Sequence, residues 1–487
     1  MSRVLVSIGA IQLLIMFVAL VRAKVLSVLL GPAGFGVVST IDQATQTAMQ
    51  LAHLSLPFTA LKFMSHRHSD GHEPFERTYA SFFRVLLAVA VAAVLVLQGL
   101  LLWHPAVFGA ELVAYRRYFA LAFVGIPSLM LNVLLINTLA AAQRGAAGAV
   151  TNLVIGMVAA VSAIVGVELG GFGGLYLTSV IASMLTTAGI VWYLRRSLHV
   201  HVTAPGVRLR DELRESPEIV SFSLYVYIAV GAYLVAVLIT RFYVFAALGP
   251  AGAGWLQALL SIALTVGAVM TPMSGLYLAP MLNRQMPVAA KLGVANDFAA
   301  KIAPLFLLGG VAVSLFPGLA LTLLFSPKFA GAAGVLFVFV VWQCLHHLVN
   351  VYLQLLIGLD DVRFYALLNC VAYAGAALAF RPLIAAYGLG GAAAALSVAS
   401  VVNAIGTALR LALRFHSRIE TRVLVRGGAS VAAIIGAGAL SRWSAELSPS
   451  GFALRVAYLA AASLVLWMTT SEAERAWLRS WRIASAP

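Results

Sequence analysis

The sequence predicts an all-α polytopic membrane protein with about fourteen transmembrane helices. Three observations lead there. Of 487 residues, 62% are hydrophobic and only 10% charged, with a mean hydropathy of +0.97. Even a large soluble domain leaves roughly a quarter of its unfolded surface in water, so this composition excludes a soluble enzyme, a disulfide scaffold and a disordered chain. The apolar residues fall in runs of about 20 or more that are apolar all round. Barrel strands would alternate at every second residue, so these runs are helices. Finally, the cations collect in alternate loops, as membrane topology requires.

The runs are 4–30, 35–61, 79–103, 115–142, 148–168, 173–194, 219–247, 253–281, 299–323, 332–357, 364–386, 389–413, 424–443 and 452–470. The first is longer than a signal-peptide core and lacks a small-x-small cleavage site, so it reads as a span. Counting from an inside start, the inner loops hold Arg67, Arg77, Arg144, Arg195, Arg196, Arg284, Arg363, Arg414, Arg418 and the tail arginines Arg475, Arg479 and Arg482. The outer loops hold little beyond Lys328 and Arg442. This asymmetry predicts that both termini are cytoplasmic. The longest inner loop, 195–218, carries mixed charge over Arg208–Glu218 and reads as a solvated linker. The expected organisation is an N-lobe over 1–200, a linker over 201–218, a C-lobe over 219–415, and two further spans with a cytoplasmic tail over 416–487.

The two halves share a motif. LGPAGFG at 30–36 and LGPAGAG at 248–254 are offset by 218 residues, and each follows an intramembrane arginine, Arg22 or Arg241. Gly-Pro ends one helix and starts the next. An offset of six spans preserves direction, which predicts parallel repeats related by an axis along the membrane normal, an arrangement that places a site near the midplane.

Ionisable residues inside a bilayer are costly, which makes them candidates for function. Arg22, Lys24, Arg84, Arg116, Arg117, Arg241 and Arg381 lie within spans or at their shoulders, against Asp42 and, nearer a boundary, Glu168. The interior is net positive and suits an anion such as pyrophosphate, which guanidinium binds through paired hydrogen bonds. Arg22 and Asp42 sit at similar depth on either side of the first turn. They form an ion pair across it, or else Arg22 or Lys24 meets phosphate while Asp42 tunes the site or carries a coupling proton. Arg241 has no acid in its own hairpin; the position matching Asp42 is Leu260. The candidate anion contacts are Arg22, Lys24, Arg241, Arg381 and Arg84. Arg84 either receives an incoming headgroup or snorkels. Asn132 and Asn137 are candidates for sugar contact or for helix–helix bonding. Asp360 and Asp361 read as a local salt-bridged turn with Arg363. His346 and His347 point about 100° apart on a helix and read as core, as do Cys344 and Cys370. Pro57, Pro127, Pro272, Pro280 and Pro304 are candidate kinks. Neither a metal motif nor a nucleotide-binding loop is present, so no cofactor is expected beyond a coupling H+ or Na+, and no enzyme activity.

In order and spacing, LGPAGFG (30–36), YLAPMLNRQ (277–285), FSPKF (325–329), the stretch from Trp342 to DDVRFY (360–365) and GLGGAAAALS (388–397) resemble the polysaccharide transporter family. That family comprises the O-antigen and enterobacterial common antigen flippases of the multidrug/oligosaccharidyl-lipid/polysaccharide superfamily. The resemblance implies a bacterial inner-membrane monomer with two six-helix lobes forming a V around a central cavity. Its substrate would be an undecaprenyl-pyrophosphate-linked glycan, moved from the cytoplasmic to the periplasmic leaflet, and its partners the lipid and polysaccharide polymerase machinery. The last two spans add to that twelve-helix core, either forming a lipid groove or merely packing. The alternatives are a multidrug or cation antiporter of the same fold, which wants more intramembrane acids, and a membrane polymerase or ligase, which wants larger outer loops.

Overall fold

The computed structural model describes residues 2–207, 214, 217–267, 274, 278–443 and 448–469, except for the side chains of 2–10, 218, 219, 305, 467 and 469. Most of the expected linker, the Pro272 kink, Tyr277 of the YLAPMLNRQ motif and the three tail arginines lie outside the described residues.

Among the described residues every membrane element is helical, and eleven helices are long and apolar enough to cross a bilayer. Three of them are too long to cross only once. These are α1 (Ser2–Ala52), α6 (Gly145–Ser197) and α7 (Pro217–Gly267), of 51, 53 and 51 residues. At 1.5 Å per residue each would run about 75–80 Å, against a hydrocarbon core of about 30 Å. Each breaks at glycine: Gly31 in α1, Gly170 and Gly171 in α6, and Gly249 in α7. Each therefore makes two spans, and the described residues hold fourteen. Gly31 (φ 63°, ψ −178°) and Gly249 (φ 70°, ψ −176°) adopt the same backbone conformation, and each is followed by a proline. Positive φ suits glycine alone at such a site, and proline has no N–H to lose at the first helical position. The two LGPAG copies are thus the same turn.

The helix contacts divide the chain into two compact units, Met1–Gly254 and Trp255–Pro487. In the first, α1 packs on α6. The short α2 (Leu56–Asp70) lies against α3 (His72–Trp103) and α5 (Ile126–Ala141), and α4 (Arg116–Val124) joins α5 at Gly125. Tyr79, Phe82, Phe119 and Phe123 are buried at the centre. The second half of each glycine hairpin meets the other closely. A Cβ on Gly36 would stand 1.9 Å from Pro250 O, and one on Gly254 would stand 2.0 Å from Pro32 O. Gly36 and Gly254 are equivalent in the repeat, so the contact is reciprocal.

The second unit contains α8 (Ala279–Leu282), α9 (Val288–Leu315), α10 (Pro317–Leu324), α11 (Leu336–Gly358), α12 (Val362–Tyr387), α13 (Leu389–Phe415), α14 (Thr421–Trp443) and α15 (Pro449–Thr469). The last two helices pack directly on α9. Arg422 bonds Asp297 at 2.8 Å, and Asn296 donates to Glu420 and accepts from the Tyr352 hydroxyl. Farther along, Arg455 is fully buried, donates to Leu315 O and to Ser441 O, and lies over the Phe316 ring. It caps carbonyls near the ends of α9 and α14, which otherwise have no intrahelical partner. Asp361 does not make the local turn expected from sequence. It accepts two bonds from Arg410, at 2.6 and 2.9 Å, and one from Arg414 at 2.9 Å, all from α13.

Candidate functional site

Three charged side chains of the first unit converge inside its helices. Arg22, nine residues before the Gly31 break, extends Nη2 to Asp42 Oδ2 at 3.2 Å, eleven residues after it. This bond crosses the hairpin at the depth expected from sequence. The Tyr176 hydroxyl, on the second half of α6, lies 3.4 Å from Asp42 Oδ1 and 3.3 Å from Val38 O. From α7, Arg241 reaches the same turn of α1, with Nη1 3.5 Å from Ser39 O. The field of Asp42 bears on Arg241, as does Tyr233 about two turns away on α7.

The cluster is graded in exposure. The Arg22 and Asp42 side chains are 33% and 36% exposed, whereas Arg241 is 5% exposed. Arg22 Nε is buried without a hydrogen-bond partner among the described residues. Arg22 is thus paired with Asp42, while Arg241 meets the backbone of the same helix turn at Ser39 O. Each arginine at mid-membrane costs about 2.5–3.5 kcal/mol on insertion scales. Asp42 offsets part of that cost for Arg22. Lys24 is half-buried on the same helix, one residue beyond Ala23, and is engaged by neighbours.

The other sequence candidates lie elsewhere. Arg84 donates Nε to Ala80 O and Nη2 to Ala204 O, 2.8 Å away. It belongs to a strap along α3: His72 meets Leu198 O, Glu76 accepts from the backbone and ring of His201, and the Ser81 hydroxyl donates to Val207 O. These side chains follow helical spacing on one face and hold the start of the inter-half linker. Arg381 is exposed towards the end of α12 and makes no hydrogen bond or ion pair among the described residues. Asn132 accepts from the Thr187 hydroxyl at 2.9 Å, and Asn137 donates to Pro57 O at 2.9 Å. Both amides join helices of the first unit.

Outside the spans, Lys62 on α2 sits 4.2 Å from the Phe222 ring centroid and 5.4 Å from that of Phe58, and burial lowers its amine from the usual 10.5. Tyr176 and Tyr233 escaped sequence reading because a hydroxyl that completes a site from 134 residues away leaves no local signal. Arg455 was legible as a cation within an apolar run.

No protein-family profile matches the chain, and no curated protein matches it. Solved structures do. The lipid II flippase MurJ in an inward closed conformation superposes with a TM-score of 0.64 over 96% of this chain and 98% of its own, at 12% identity. A multidrug resistance MATE family transporter of the MOP superfamily, inward-facing, gives 0.63 over 89% and 99% at 15% identity. The chain shares the fold of these two transporters. A third MOP superfamily transporter, from Pyrococcus furiosus and described as having a binding pocket of reversed polarity, gives 0.57 over 89% and 96% at 13% identity. At these identities the likeness establishes the architecture of a multi-pass membrane protein of the MurJ and MATE kind. The MurJ match covers more of this chain than the MATE match does.

Proposed function

We propose that this protein is a flippase that carries an undecaprenyl-pyrophosphate-linked oligosaccharide across the bacterial inner membrane by alternating access, with both termini in the cytoplasm. The observation that carries this reading is the convergence of Arg22 and Arg241 on one turn of α1, where Arg22 pairs with Asp42 and Arg241 meets Ser39 O. A diphosphate brings enough negative charge to take over both arginines, each through parallel hydrogen bonds. Lys24 adds charge beside Arg22. The sugars would stay in water, and the polyprenyl tail would remain in lipid.

Transport needs release as well as capture, since a ligand shifts a two-state protein only by its differential affinity for the two states. Asp42 supplies a means. It competes with phosphate for Arg22, and the Tyr176 hydroxyl holds it in place. Entry of a proton or Na+ at Asp42 would change that competition. Arg84 and Arg381 remain outside this cluster. In this reading Arg84 secures the linker, and Arg381 meets anions at the outer surface.

A cation antiporter of the same fold is the second reading, and the MATE likeness favours it. It would bind cations at Asp42. The Arg22 bond and the nearby Arg241 charge both oppose that. Reconstituted vesicles distinguish the two. Lipid-linked oligosaccharide should become accessible on the far side only with the wild-type protein, and Arg22→Ala and Arg241→Ala should lose that activity while inserting normally. Unchanged flipping in both variants, or cation exchange that depends on Asp42 alone, would overturn the proposal.

A further inference from the structure

A groove of about 470 Å³ lies in the first unit among α3, α5 and the second half of α6, well away from the Arg22 cluster in sequence and lined by none of its residues. Its walls are apolar, formed by Leu87, Pro127, Leu131, Met184 and Val191. Its polar groups are largely occupied: the Thr187 hydroxyl is engaged by Asn132, Ser128 O and Ser183 O. The volume falls in the range of small-ligand sites, about 300–1,000 Å³.

One end of the groove differs from the rest. Arg195, in the last turn of α6, closes its cytoplasmic end. It is exposed and makes no hydrogen bond or ion pair among the described residues. Beside it Trp192, 59% exposed, also lines the groove, and Arg196 lies over the indole at 4.9 Å. From Met184 to Arg195 the helix rises about 16 Å at 1.5 Å per residue, close to half of a hydrocarbon core of about 30 Å. The groove is thus one leaflet deep, greasy along its length and cationic at the headgroup level, with an indole at the boundary where tryptophan favours residence.

We propose that this groove is a binding site for an anionic glycerophospholipid of the cytoplasmic leaflet, one acyl chain lying along α6 and the phosphate meeting Arg195. Charge complementarity selects the occupant. The cytoplasmic leaflet carries the negative surface potential that draws basic groups, and a planar guanidinium pairs with phosphate oxygens. An undecaprenyl tail is much longer than an acyl chain and overruns a groove that ends at Pro127 and Met184. The site is separate from the proposed translocation site and rests on the proposed function only for the orientation that puts Arg195 on the cytoplasmic side.

The test uses the full-length protein in phosphatidylcholine vesicles doped with brominated phosphatidylglycerol or brominated phosphatidylcholine. Trp192 emission is isolated as the difference between wild type and Trp192→Phe. Brominated phosphatidylglycerol should quench Trp192 at about fivefold lower mole fraction than brominated phosphatidylcholine, the equivalent of about 1 kcal/mol for one basic residue near the surface. Arg195→Gln should bring the two curves together, and Ala188→Phe, which fills the groove with Arg195 intact, should weaken quenching by both. Equal quenching by the two lipids in the wild type would show annular lipid only and overturn the proposal. Displacement of brominated phosphatidylglycerol by an equal mole fraction of polyprenyl phosphate would overturn it too, assigning the groove to a substrate tail.

Discussion

Gly36→Ala tests whether the reciprocal glycine crossing holds the outer ends of the two repeated hairpins together. The added Cβ would stand 1.9 Å from Pro250 O and 2.6 Å from Gly254 N, where ordinary contacts begin near 3.4 Å. The shortfall is about 1.5 Å, and the opposing atoms are backbone, so no side-chain rotation relieves it. Overpacking of this kind costs about 1–3 kcal/mol, which as a bias between two states is about 5–150-fold. Gly254→Ala meets Pro32 O at 2.0 Å and should act alike, since the contact is symmetric. Gly156→Ala, where nothing lies within 4 Å, is the control. It should be neutral or stabilise by up to about 1 kcal/mol through helix propensity. Spin labels at Ala33→Cys and Ala251→Cys, read by double electron–electron resonance, should move apart by at least about 1.5 Å in either crossing variant and stay put in the control. Unchanged distances in both crossing variants, with unchanged flipping, would refute the reasoning.

Other perturbations probe the rest of the structure. Asp42→Asn keeps the side-chain volume and removes the charge that pairs with Arg22. Flipping should fall, and half-saturating diphosphate lipid should decrease because the competing carboxylate is gone; a weaker apparent affinity would count against competition at Arg22. Arg455→Met removes the donors to Leu315 O and Ser441 O. At about 1–3 kcal/mol for each buried acceptor left unmade, the melting temperature should drop and hydrogen exchange should rise in α15 first. Glu76→Gln and Arg84→Gln should each raise exchange over residues 198–207 without changing exchange in α6, a pattern that global destabilisation would not give. Burial holds the Lys62 amine below 10.5, so just below that pH the folded state binds fewer protons than the unfolded state, and stability at this position rises as pH climbs towards 10.5. Lys62→Met should flatten that slope in thermal melts.

The sequence carried the membrane architecture because lipid imposes a length and polarity rule on every span. Fourteen runs became fourteen spans among the described residues, six of them joined in pairs across the glycine breaks of α1, α6 and α7. The repeat was visible because Gly-Pro after an apolar run has few meanings. Arg22 and Asp42 were legible as a pair, since both count from one turn and helix rise is constant. The placement of Arg241 beside Ser39 was not, because it depends on which α7 face meets α1 across 202 residues. Arg84 shows the opposite failure. Depth alone made it a substrate candidate, while its actual partners lie 120 residues away in the linker. Asp361 likewise passed over the cation beside it in sequence for two on α13.

The ratio of charges around Asp42 is what makes the cluster more than a structural ion pair. Had each arginine its own carboxylate, the site would be neutral at rest and a diphosphate would have to displace two partners to bind. With no carboxylate, two buried guanidinium groups would each carry the full insertion cost, and a bound diphosphate would face nothing that favours its departure. The observed arrangement stands between these extremes: Arg22 is paired with Asp42 through Nη2 while its Nε has no hydrogen-bond partner among the described residues, and in the proposed cycle a diphosphate would compete with Asp42 for it. The same geometry makes release sensitive to the state of Asp42, which is partly exposed while Arg241 is buried. A double-mutant cycle between Arg22→Gln and Asp42→Asn, read on the affinity for diphosphate lipid, isolates this coupling. If Asp42 competes with substrate for Arg22, removing Asp42 should strengthen binding only while Arg22 is present. Equal effects in the two backgrounds would leave Asp42 a structural anchor for α1 and α6 and remove the release step from the proposed cycle.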